Sequence, residues 1–245
     1  MVSSVLRHLH EVRAAVRVAA AVSATLVSAP VGGPRAVVRE TPVARARSLV
    51  VLVHGFGAGP DCWDDAVRAL GGPGVAVVTH RYTWTAGVEE LGADLADEVA
   101  SLARRSGARS VTLVGHSLGG VLVAASLAGG RLGGIVTRVV TVAAPLRGTA
   151  WARLFPVGAV RGLLPGAPEL RAVATTTSVP WTAVASRADL VVGTDSATPA
   201  GTEAVVVDGV GHCGLLRDPD VLGLIADAAR AGARPGRARR LALVA

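Results

Sequence analysis

Two patterns of apolar residues alternate along this chain. Short unbroken runs occur at Leu49 to Val53, Val75 to His80, Val111 to Val114, Val136 to Ala143, Val179 to Ala185 and Ala204 to Val207. Runs of this length with little polar alternation predict strands of a parallel sheet buried on both faces. Between them, apolar residues recur every three or four positions. Asp61 to Leu70 reads as one helix and Thr85 to Arg104 as another, with Val88, Leu91, Leu95, Val99 and Leu102 on one face. A third helical stretch ends near Ala128, and Asp218-Pro219 announces a fourth. The alternation predicts an α/β fold, a mostly parallel sheet with helices on both faces. Pro30 to Pro42 reads as a Pro/Gly/Arg linker ahead of it.

The turn that follows Val111 to Val114 is Gly115-His116-Ser117-Leu118-Gly119-Gly120. A serine on a tight strand-to-helix turn takes a strained backbone conformation that lifts its hydroxyl clear of the sheet, and side chains two positions either side would collide. Gly115 and Gly119 occupy those positions. The helix start also aims free N–H groups and a positive dipole end at the place where an oxyanion would form. Ser117 is therefore the candidate nucleophile. Chain order tests this, because hydrolases built on such a turn place an acid and then a histidine downstream. Of the six histidines only His212 follows Ser117, in a Gly-rich loop at the exit of a strand-like run, and it is the candidate base. The carboxylates between them are Glu169, Asp189, Asp195, Glu203 and Asp208. Asp189 follows the run ending at Ala185 and so stands at the carboxyl edge of the sheet, where sites of open α/β folds assemble. Asp195, six residues on in the same loop, is its rival.

With these residues the chain resembles α/β-hydrolases of the lipase and esterase group, from about Leu49 to Ala229. Leu49-Val50-Val51-Leu52-Val53-His54-Gly55-Phe56-Gly57 is similar to that family's strand and His-Gly loop. Ala144-Pro145-Leu146-Arg147-Gly148-Thr149 is similar to the Pro-x-x-Gly-Thr stretch of bacterial lipases, which often carry a histidine where this chain has Leu146. The resemblance implies an α/β-hydrolase fold with a short cap after the sixth strand, and an oxyanion hole made by the backbone N–H groups of Phe56 and Leu118. It implies serine-dependent hydrolysis of carboxylic esters through an acyl-enzyme, with no cofactor. Residues 149–177, with Trp151, Leu154, Phe155, Val157, Leu163 and Leu164 between prolines, fall where such hydrolases insert a cap; a crossover helix with a long loop is the alternative. Trp63 and Trp84 are expected at the same edge, or else as packing residues. An acyltransferase or thioesterase would use the same triad, whereas a non-catalytic binding protein would need none of its order.

Hydrophobic residues make up 51% of the chain and aromatics only 3%, so the core must be built from Val, Leu and Ala. A formal net charge of +7 would ordinarily suggest nucleic acid or a membrane surface as partner. Its distribution argues against nucleic acid. Residues 1–47 and 230–245 hold 12 arginines and two acids, whereas residues 48–229 hold 13 arginines and 16 acids. The basic arms read as solvated tails, with weak contact to anionic lipid as the alternative. A small acyl ester is the expected partner. Cys62 and Cys213 lack zinc-site spacing, so no metal is implied. Both should lie at the carboxyl edge, as two free thiols, the reading favoured where no secretory context is proven, or as a disulfide that pins the histidine loop.

Residues 1–29 carry some marks of an export signal, which would make the protein secreted: Arg13 and Arg17 precede the apolar run Val18 to Val27, and Val27-Ser28-Ala29 resembles a cleavage site. Glu11, Pro30 and the helical spacing of Val5, Leu9, Val12, Val16 and Ala19 favour an amphipathic helix packed on the body and a cytoplasmic location. The apolar run is too short to span a bilayer. The expected organisation is an N-terminal helix and linker over 1–47, a hydrolase domain over 48–229 with the cap at 149–177, and a basic tail over 230–245.

Overall fold

The computed structural model describes residues 36–40, 43–173 and 178–231. The expected N-terminal helix and most of the basic tail lie outside the described residues. Seven strands form one sheet: β1 (Ala36–Glu40), β2 (Ser48–Val53), β3 (Val75–His80), β4 (Ser110–His116), β5 (Arg138–Val142), β6 (Trp181–Ser186) and β7 (Ala204–Val207). Their order is β1-β3-β2-β4-β5-β6-β7. β2 to β7 pair in parallel and correspond to the six apolar runs. β1 corrects the sequence reading, since it lies inside the expected linker. It pairs antiparallel with β3, from Ala36 opposite His80 to Glu40 opposite Ala76. Five residues between proline-rich flanks carry too little periodicity to be read as a strand, and the sheet edge supplies the hydrogen bonds that make them one.

The helices are α1 (Asp64–Leu70), α2 (Val88–Ser106), α3 (Leu118–Ala128), α4 (Gly158–Arg161), α5 (Pro168–Val173), α6 (Thr194–Ala197) and α7 (Pro219–Ala231). The first expected helix splits, because Pro60–Trp63 forms a 3-10 turn before α1 begins. α2 stops at Gly107, whose N–H makes the last bond to the Ala103 carbonyl and whose left-handed φ of 60° turns the chain away from the helix. The 149–177 stretch, expected after a sixth strand, follows the fifth, β5.

Period-two alternation in β2 builds both layers. Leu49, Val51 and Val53 face α2 and α3, packing in one cluster with Leu95, Val99, Val121 and Leu122. Val50 and Leu52 face α1 and α7, with Val67, Leu70, Val221 and Ile225. All six β2 residues are buried, and each large apolar side chain among them contributes about 1.5–3 kcal/mol. α2 and α3 approach closely at Gly92, where an added Cβ would lie 2.6 Å from that of Ala125.

Strand order decides where a site can form. From β2 the chain moves outward to β3, then crosses back over β2 to β4. The connections after β2 and β4 therefore leave in opposite senses, and a crevice opens at their carboxyl ends. Val53, at the end of β2, pairs with Gly115 in β4. That register sets the His54-Gly55-Phe56 loop beside the turn that carries Ser117.

Candidate active site

Ser117 lies between the end of β4 and the start of α3, with φ 52° and ψ −125°. For a residue with a side chain, positive φ costs about 1–3 kcal/mol unless the surroundings impose it. Here they do. The Ser117 N–H donates to the Val142 carbonyl of β5 at 3.0 Å, and the Gly120 N–H to the Ser117 carbonyl at 3.0 Å. A Cβ at Gly119 would stand 2.2 Å from the Val53 carbonyl oxygen, and one at Gly115 would stand 2.5 Å from the Gly119 oxygen. Both flanking glycines are thus required by contact, since neither position leaves room for a Cβ.

The candidate acid and the candidate base meet on the next two strand exits. The loop after β6 carries Asp189, and the loop after β7 carries His212. His212 Nδ1 donates to Asp189 Oδ2 at 2.7 Å. The other carboxylate oxygen accepts from the N–H groups of Val191 at 2.8 Å and Val192 at 2.9 Å. Asp189 is buried, so these three bonds are what make its charge tolerable there. Ser186 holds the base loop at its start by donating its hydroxyl to the Val210 carbonyl at 2.5 Å. Asp195, the rival acid, is exposed in α6 and has no bond to His212. The His212 ring stands 4.7 Å from that of His116, the residue before Ser117. Among the described residues the Ser117 hydroxyl makes no hydrogen bond to His212, and such contacts commonly tighten only when substrate binds.

On the opposite side, Gly55 presses on the turn, and a Cβ there would lie 3.0 Å from Ser117 Cβ. Phe56 follows, its N–H bonded to no backbone carbonyl among the described residues. Leu118 begins α3, so its N–H has no intrahelical acceptor. Tyr82 holds this loop from below: its ring stacks on His54 at 4.4 Å and its hydroxyl donates to the His54 carbonyl at 2.8 Å. Burial pushes the His54 imidazole down to about 4. Sequence reading missed Tyr82 and His116, although the chain's single tyrosine and a histidine within the serine motif were visible.

The alpha/beta hydrolase family model matches residues 50–195, which include most of β2, Ser117 and Asp189. The chain belongs to the alpha/beta hydrolase family. Among curated proteins it is similar to the abhydrolase domain-containing protein abhd-5.2 of Caenorhabditis elegans, 29% identical over 92 residues. That match covers 34% of this chain and 20% of the longer relative. Among solved structures it is similar to the mature Bacillus licheniformis lipase BlEst2, with a TM-score of 0.63 at 17% identity over 79% of this chain and 99% of that one. It is also similar to Est1E from Butyrivibrio proteoclasticus, with a TM-score of 0.61 at 14% identity over 80% and 93% of the two chains. These likenesses establish the α/β-hydrolase fold.

In this alpha/beta hydrolase the Pro-x-x-Gly-Thr stretch ties the chain after β5 to the acid loop. Ser196 donates to the Gly148 carbonyl, Thr149 to the Val191 carbonyl, and Trp151 Nε1 to the Leu190 carbonyl at 2.7 Å. Beyond it Leu154 and Val157 are exposed, while Phe155 turns inward to stand 6.1 Å from Phe56. Trp84 meets the Phe56 ring edge-on at 4.9 Å and is itself buried in the core cluster. Trp63 is fully buried in the layer beneath α1, with its Nε1 unpartnered, and is a packing residue. Cys62 and Cys213 are free thiols, and burial pushes Cys62 up to about 12. Among the described residues no group of three or more His, Cys, Asp or Glu side chains could hold a metal, and no helix is long and apolar enough to cross a membrane.

Proposed function

We propose that this chain hydrolyses carboxylic esters, of lipid or other acyl type, through an acyl-enzyme on Ser117. His212 Nε2 takes the hydroxyl proton as Ser117 Oγ bonds to the acyl carbon, and the N–H groups of Phe56 and Leu118 stabilise the resulting oxyanion. The imidazolium then gives its proton to the departing alcohol oxygen as the ester C–O bond breaks. In the second half His212 takes a proton from water, whose oxygen attacks the acyl carbon, and returns it to Ser117 Oγ. Asp189 keeps the imidazole in the tautomer that leaves Nε2 free and stabilises its charged form.

The observation that supports this reading most is the 2.7 Å bond from His212 to a buried, doubly held Asp189, on the sheet edge that also carries the strained Ser117. Residues 149–177 act in this scheme as a short cap. Phe155, Phe56 and Trp84 form an apolar wall next to the oxyanion loop, fit for the carbon chain of an acyl group. The experiment is Ser117→Ala, assayed on a soluble acyl ester and with a fluorophosphonate label. Turnover should fall by up to about a million-fold, and the label should be lost. Hydrolysis retained with the label on another serine would refute the assignment.

A further inference from the structure

His116 is buried, at 4% exposure, and the ester-hydrolysis scheme gives it no task. Its Nε2 lies 3.2 Å from the backbone carbonyl of His212, and its Nδ1 has no partner. A ring nitrogen facing a carbonyl can only donate, so Nε2 carries the proton and Nδ1 is bare. The bare nitrogen faces the oxyanion loop, where a Cβ on Gly55 would come within 3.1 Å of it. One side chain therefore touches the loop before Phe56, adjoins Ser117 through the backbone, and bonds to the residue that carries the base.

We propose that His116 is a positioning residue that sets the reach of His212 toward Ser117 by holding the His212 backbone carbonyl; the inference rests on the Ser117–His212 reading above. Its need follows from the loop it holds. Three glycines, Gly209, Gly211 and Gly214, lie within three residues of His212, and a side chain at Gly209 or Gly211 would meet no atom within 4 Å, so that part of the loop has no side-chain packing to hold it. Asp189 grips the far side of the His212 ring and Ser186 the start of the loop, but both belong to the neighbouring strand exit. Among the described residues the His116 bond is the link from the nucleophile turn itself. Leu215 and Leu216 bury the far end of the loop in the core, but without the His116 bond no hydrogen bond among the described residues ties the base loop to the nucleophile turn. A misplacement of an ångström between reacting groups costs about a hundredfold in rate.

The arrangement also requires a neutral ring. A charged imidazole 4.7 Å from His212 would oppose the positive charge that the base acquires during acylation. Burial and the neighbouring His212 hold the His116 imidazole well below the usual histidine range.

Two variants and one spectrum test the proposal. His116→Gln keeps an N–H donor at nearly the same reach, and His116→Leu removes it. In Leu, kcat should fall by about a hundredfold with KM unchanged, and fluorophosphonate labelling of Ser117 should slow in parallel. In Gln most of both rates should return. Equal losses in Gln and Leu, or full activity in Leu, would overturn the inference, whereas activity surviving in Ser117→Ala would instead remove the reading beneath it. Should neither variant fold, nitrogen-15 spectra of the unaltered protein remain decisive. His116 should appear as the neutral Nε2–H tautomer at neutral pH, and an Nδ1–H tautomer would overturn the proposal.

Discussion

At the scale of single residues, two non-glycine positions carry positive φ among the described residues, Ser117 at 52° and Ala143 at 48°. They are neighbours across the sheet, at the exits of β4 and β5. Ser117 was legible because its motif announces the turn that strains it. Nothing in the sequence marks Ala143, whose N–H is held by the Val184 carbonyl of β6 at 2.8 Å; the strain there comes from a neighbouring strand. The choice between Asp189 and Asp195 had the same origin. Both are aspartates in one loop, and only the return of the chain beside β7 brings one of them to His212. Asp189→Asn should lower kcat by on the order of ten-thousand-fold, since the acid orients the base and stabilises its charge without bonding to substrate. Asp195→Asn should leave kcat nearly unchanged, and the reverse ranking would move the acid to Asp195.

At the scale of elements, β2 to β7 were legible because strands buried on both faces must be continuously apolar. The helices α2 and α3 were legible because each buries one stripe or is buried all round. Elements held by a neighbour rather than by their own pattern escaped. β1 exists through the edge of β3, and Trp63 belongs to a 3-10 turn packed beneath α1 rather than to the site edge. The 149–177 interval lies between these cases: its apolar content was visible, but not which residues turn inward. Phe155 packs toward Phe56, and Leu154 points to solvent with 60% of its surface exposed. Phe155→Ala should therefore matter more than Leu154→Ala. Each methylene added to the acyl chain should raise kcat/KM by about fourfold, the equivalent of 0.8 kcal/mol, until the wall is covered. Phe155→Ala should flatten that rise while acetyl esters are hydrolysed almost as before. Proportional losses for acetyl and long esters would show the segment to be structural.

At the scale of the whole molecule, two buried histidines, His54 and His116, sit neutral under the site with depressed proton affinity. Unfolding returns each to the ordinary value near 6.5, so below about 6.5 the unfolded chain binds more protons than the native one, for His54 down to about 4. The stability tied to this difference is complete above pH 6.5 and is lost as pH falls toward 4; for His54 alone it amounts to roughly 3 kcal/mol. Urea midpoints should drop across that window, and His54→Asn, which cannot titrate, should show a shallower drop. Parallel curves for the two proteins would contradict the assignment to His54. The larger division between sequence and structure has a single cause. Local pattern determines what a segment of ten or twenty residues does for itself, so the sequence alone determined the parallel α/β fold, the Ser117 turn with its two glycines, and the chain order of acid and histidine. Strand order is a non-local choice, settled by which buried faces pack together. Only the tertiary structure could bring the exits of β2, β4, β6 and β7 to one edge, bond His212 to Asp189 rather than to Asp195, set Tyr82 against the His54-Gly55-Phe56 loop, and tie His116 to the loop that carries His212.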